Sequence, residues 1–203
     1  MCNAFLGLLL FSCACLTTTL AVVGSASAET PAATLRFSTA CSGCHEGECS
    51  GRVTFSQRPE ATYTHIRQHA GPTDDALAQE LYDVLKRMKR DCSYPPLPVP
   101  DIEQPLAGTD INPYLDPWTG HYFVPLGSLE PGRYRFSLVF AQPGDVRMEL
   151  VDADFDFLVD RCETLGDLRL EMVLTLNEPC QCYLRLRPRA KQRLTKLSIT
   201  GIN

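Results

Sequence analysis

The sequence predicts an α+β chain of more than one domain, a small all-α module followed by an antiparallel β-sandwich or jelly roll. Three observations carry this. Apolar residues recur at helical spacing between about 30 and 92, they alternate with period two after about 120, and a proline-rich stretch separates the two patterns. The expected division is a signal peptide at 1–28, the helical module at 29–92, a linker at 93–119 and the sandwich at 120–203.

Taking the segments in order, Phe5 to Val23 is almost continuously apolar or small, and Ala26-Ser27-Ala28 forms an A-x-A cleavage site before the first charge, Glu29. Only the α-amino group supplies positive charge ahead of it. The alternative is an uncleaved anchor, because the stretch approaches bilayer-spanning length. No other segment is that long and apolar, so a periplasmic or secreted chain with no membrane span after signal removal is expected.

Pro31 to Ala40 reads as a helix that runs into Cys41-Ser42-Gly43-Cys44-His45. A second helix starts at Thr73 or Asp74. Leu77, Leu81, Val84, Leu85 and Met88 recur on one face, and Lys86, Arg87, Lys89 and Arg90 fill its last turns. That basic cluster reads as a helix end complementing its own dipole, or as a landing patch for an acidic partner. Beyond it, Ser93-Tyr94-Pro95-Pro96-Leu97-Pro98-Val99-Pro100 is expected to be an extended spacer.

The C-x-x-C-H pentapeptide carries the chemistry. Two thiols three positions apart on one helical turn can each add across a haem vinyl group, and the following histidine is then held beneath the iron. A bare C-x-x-C also serves zinc sites and redox dithiols. The adjacent His45, the absence of a second C-x-x-C and the exported context point to haem c.

With Phe37 ahead of that motif and a helix over Asp74 to Arg90, residues from about 30 to 92 resemble a small class I cytochrome c domain. The resemblance implies one covalent haem c on Cys41 and Cys44, His45 as the proximal iron ligand, and electron transfer to and from a redox partner protein, with no catalytic residues. In that family a methionine before the last helix supplies the sixth ligand. Here no methionine lies between His45 and Asp74, whereas His65 and His69 do. His69 is the expected distal ligand, with His65 and Met88 as alternatives. The two histidines also fit an exposed i, i+4 pair, and Met88 fits a core position.

Of the ten cysteines, Cys2, Cys13 and Cys15 belong to the signal, and Cys41 and Cys44 to the motif. Cys49 is expected to pair with Cys92, and Cys162 with Cys180 or Cys182, in an oxidising compartment. A net charge of −5 argues against nucleic acid as a partner.

Strands are marked by alternation in Tyr134-x-Phe136-x-Leu138-x-Phe140, Val146-x-Met148-x-Leu150, Leu168-x-Leu170-x-Met172-x-Leu174, the run from Tyr183 through Leu186, and finally Leu194 to Ile202. Turns at Pro131-Gly132, Pro143-Gly144, Gly166-Asp167 and Asn177-Glu178-Pro179 separate them. The half resembles the accessory β-sandwich modules of secreted bacterial proteins. Asp152, Asp154, Asp156, Asp160 and Glu163 match an EF-hand register and raise calcium as a second cofactor, but Phe157 stands where that loop needs glycine. Arg185, Arg187 and Arg189, continued by Lys191, Arg193 and Lys196, form a basic stripe expected to be solvated or to protect an edge. Tyr114, Trp118, Tyr122 and Phe123, flanking Asp116 and His121, either seal a core or stack on a ligand.

The function expected is therefore that of an exported monohaem c-type cytochrome, its sandwich docking on a partner, on another copy or at the cell surface. The alternatives are a haem-bearing subunit of a larger oxidoreductase and a haem-based sensor with a displaceable sixth ligand. Neither G-x-S-x-G nor H-E-x-x-H occurs in the chain.

Overall fold

A computed structural model of the chain describes residues 31–46, 58–190 and 192–202. The expected signal peptide, Cys49 and Lys191 lie outside the described residues.

The alternating segments form strands β1 (Leu106–Ala107), β2 (Tyr122–Leu129), β3 (Gly132–Phe140), β4 (Gly144–Val151), β5 (Phe157–Leu165), β6 (Arg169–Leu176), β7 (Cys180–Pro188) and β8 (Leu194–Ile202). They build two four-stranded antiparallel sheets, in the orders β1-β8-β3-β6 and β2-β7-β4-β5. Phe136, Leu138 and Phe140 of the first sheet and Val146, Met148, Leu150, Leu184 and Leu186 of the second share one buried cluster. The alternation places them on the inner faces.

On β7 the residues between those leucines face outward, and their register neighbours do the same. Arg185 pairs across to Phe123 on β2 and to Glu149 on β4, and Tyr183 lies opposite Val151. This outer face therefore carries large apolar groups. A helical segment covers it.

That segment begins with α1 (Pro31–Arg36), widens through a π-helical turn over Phe37–Cys41 and tightens again in α2 (Ser42–His45). The Ser42 N–H donates to the Phe37 carbonyl across the widened turn. Thr39 Oγ1 donates to the Leu35 carbonyl (2.9 Å) and Ser42 Oγ to that of Ser38 (2.7 Å). These hydroxyls take up carbonyl capacity that a regular ladder would use, which loosens the helix where Cys41 must be aimed. Helix α3 (Pro59–Ala70) starts on a proline and ends at Gly71, whose φ of 79° an L side chain rarely adopts. Helix α4 (Asp75–Asp91) is capped by Asp74, whose side chain accepts the Leu77 N–H at 2.8 Å.

The expectation of a small all-α module joined to a separate sandwich is overturned. The described chain is mostly antiparallel β-sheet, and its few helices enclose no core of their own. Phe37, Leu81, Val84 and Met88 share one buried cluster with Tyr94, Phe155 and the strand residues Phe123 and Val151, so the helices pack against residues outside themselves. The physical reason is size: four short helices bury too little apolar area to offset their own ordering entropy. Residues 93–119 also belong to this body, with Tyr94, Ile111, Tyr114 and Asp116 all buried.

Polar contacts fasten the same junction. Arg36 Nε donates to both carboxylate oxygens of Asp116 (2.8 and 2.9 Å), and its Nη1 donates to the Ala70 carbonyl (2.8 Å). One guanidinium thus ties α1, the end of α3 and the loop before β2. Among the described residues, no helix is long and apolar enough to cross a membrane.

Candidate functional site

Helices α2, α3 and α4 enclose a cleft of about 470 Å³. Cys41, Cys44 and His45 form one wall, His65 and His69 another, and Phe37, Ile66, Leu81 and Leu85 close it with apolar surface. The volume and the mostly apolar lining are those of a small-molecule or cofactor site.

Each wall follows from its helix. His65 and His69 lie four residues apart on α3 and so share a face; their rings stand 4.6 Å apart. The His45 and His65 ring centres lie 6.2 Å apart, with the planes nearly perpendicular at 80°. The Phe37 ring stacks with that of His45 at 6.4 Å. Met88 does not line the cleft; it is buried in the core beneath.

Cys41 and Cys44 both carry free thiols. Burial pushes the Cys41 thiol up to about 11, with the Arg36 guanidinium opposing the shift. Among the described residues no three His, Cys, Asp or Glu side chains converge closely enough to hold a bare metal ion.

Beneath the motif lies a charged floor that periodicity alone did not disclose. Arg185 is fully buried. It reaches Glu149 (2.9 Å) and the Tyr94 hydroxyl (3.1 Å), and it is ion-paired with Glu46, the residue after His45. Burial raises the Tyr94 hydroxyl far above its usual range, and the nearby Glu46 carboxylate adds to this against the Arg185 charge. Arg187 extends the floor under Gly43, where an added Cβ would lie 3.3 Å from its Nη2. His121 hydrogen-bonds the Thr39 backbone, yet burial holds its imidazole below the ordinary value.

Several sequence expectations land elsewhere. The Arg185–Arg189 stripe is neither a solvated face nor an edge, because β7 runs between β2 and β4 and only Arg189 is well exposed. The charges opposite it on β4 were the available signal, since Glu149 alternates with Met148 and Leu150 as Arg185 does with Leu184 and Leu186. Cys180 is bonded to Cys182, not to Cys162. The two lie on one face of β7 with Cα atoms 5.4 Å apart, whereas Cys162 is on β5 with an exposed side chain.

The EF-hand carboxylates point to separate partners. Asp152 accepts the N–H groups of Asp154 and Asp156, Asp160 pairs with Arg147, and Glu163 with Arg161. In the aromatic segment, Tyr114, Tyr122 and Phe123 are buried and Trp118 is half exposed. Lys89 of the basic cluster is buried too.

Compared with known proteins, the chain matches no family model and no curated protein sequence.

Proposed function

We propose that the chain is an exported monohaem c-type cytochrome that passes single electrons between partner proteins. The observation that carries this reading is the meeting, in one apolar cleft, of Cys41, Cys44 and His45 with His65 on the opposite wall. Two imidazoles bonded to one ion from opposite sides at about 2.0 Å place their ring centres about 6.3 Å apart. The 6.2 Å between the His45 and His65 ring centres suits that arrangement, and the His69 ring stands 4.6 Å from that of His65. His65 is thus the distal ligand the geometry favours over His69 and Met88.

In this reading Cys41 and Cys44 hold the group covalently. Each thiol would hold it through a thioether, formed by adding its S–H across a vinyl C=C with no leaving group. His45 and His65 would hold the iron through ring nitrogens, with Phe37, Ile66, Leu81 and Leu85 packed around the group. Bound there, the haem supplies a ferric/ferrous couple that exchanges one electron.

One feature weighs against dithiol exchange as the chemistry of C-x-x-C: a Cys41 thiol raised to about 11 is a poor nucleophile.

Expression with a c-type haem maturation system tests the reading. The expected product carries one haem that survives acidic organic extraction and denaturing electrophoresis, and loses it in Cys41→Ser/Cys44→Ser. A chain that matures without covalent haem would contradict it.

A further inference from the structure

We infer that the β-sheet beneath the motif sets the reduction potential of the site, with Arg187 favouring the reduced state and Glu46 the oxidised one. This rests on the haem reading and adds a role for the sandwich beyond docking. The two residues hold opposite charges against the same pentapeptide. Glu46 follows His45 directly, and the Arg187 guanidinium lies against Gly43, between the two attachment cysteines.

The surrounding charges decide which of the floor's arginines matters most. Arg147, Arg185 and Arg187 share the floor with Glu46, Glu149 and Asp160. Arg185 is held by Glu46 and Glu149, and Arg147 by Glu149 (3.0 Å) and Asp160 (2.8 Å). Arg187 has the weakest hold: its contact with Glu149 is 3.6 Å, and its buried Nε has no hydrogen-bond partner among the described residues. Its positive charge is the least neutralised of the three, and its guanidinium lies against Gly43 of the motif. The Arg187 side chain is 24% exposed, so water screens its charge only in part.

Adding an electron lowers the charge of the site by one, so a fixed cation stabilises the product of reduction and a fixed anion opposes it. The test is a redox titration, followed by visible absorption, of the haem-loaded full chain and three variants. Arg187→Gln is expected to lower the ferrous-to-ferric ratio at fixed poise about tenfold, a fall of about 59 mV for one electron. Glu46→Gln is expected to shift it the opposite way, and Arg187→Lys, which keeps the charge, to stay near the parent.

Opposite signs separate electrostatics from general disturbance, which would move both neutral variants alike. Arg187→Lys serves if Arg187→Gln fails to load haem: a parent-like potential in the lysine variant, together with a rise in Glu46→Gln, supports the inference. Variants that load haem but leave the potential unmoved, or move it in one direction, overturn the inference while leaving the cytochrome reading intact. If the parent chain takes up no haem, both fall.

Discussion

Arg185, on a central strand of the sandwich, is ion-paired with Glu46, the residue that immediately follows His45. The pair links the wall of the cleft to the sheet through a guanidinium with no solvent exposure. It makes the helices and the sandwich one structural unit.

Replacing Arg185 by Met leaves the Glu46 carboxylate without its cation, while Glu149 keeps Arg147 at 3.0 Å. Removing one partner of a buried ion pair typically costs about 3–5 kcal/mol. Arg185→Met is expected to lose that much in denaturant unfolding. Adding Glu46→Gln to Arg185→Met should restore part of it, because the carboxylate left without a cation is then neutral. No recovery in the double variant would count against the network.

Asp116 makes stability depend on acid. Burial alone would raise its carboxyl, but hydrogen bonds from Arg36 and Thr119, the Arg36 charge and the Trp118 N–H together hold it below the ordinary carboxylate value. A depressed folded value means that the contribution is fully present above the unfolded value of about 3.9 and is lost as pH falls through the folded value below it. The parent should therefore lose stability through that window, and Asp116→Asn should flatten the loss while costing about 1–3 kcal/mol at neutral pH. Equal slopes in the two proteins would refute this role.

Much of the sandwich was readable because alternation states which side chains share a face. Phe136, Leu138 and Phe140 are buried together as their spacing requires. Alternation does not state what covers the other face. Arg185 looked solvated for that reason, and the helices looked self-sufficient because nothing in their period shows that Phe123, Val151 and Phe155 complete their core. Local order hid the Cys180–Cys182 bond as well, since inward-facing neighbours on one strand meet before a more distant cysteine can. In the cleft, the pentapeptide and the His65 and His69 pair line one cavity. How far each of the two histidines lies from His45 is set by tertiary packing, which helical spacing does not state.

Met88 should behave as core. It is almost fully buried and lies outside the cleft lining. Met88→Ala is expected to destabilise the chain by about 2–5 kcal/mol and to leave the visible spectrum of the haem-loaded protein unaltered. A spectral change at constant folding would return Met88 to the ligand set.

Gly71 fixes the end of the helix that carries both histidines. A Cβ there would run into the Trp118 indole, and its φ of 79° is strained for other residues. Gly71→Ala should cost about 1–3 kcal/mol and weaken haem retention after loading. Melting temperature and haem content, measured together, check this. Parent-like values in both would contradict it.

The ligand assignment is tested most directly by the visible spectrum of the haem-loaded chain, ferric and ferrous, before and after carbon monoxide. The parent is expected to be six-coordinate, low-spin and unresponsive to carbon monoxide; His65→Ala should become high-spin and bind it, with His69→Ala staying like the parent. A parent that binds carbon monoxide, or a His65→Ala spectrum indistinguishable from it, would contradict an iron held between His45 and His65.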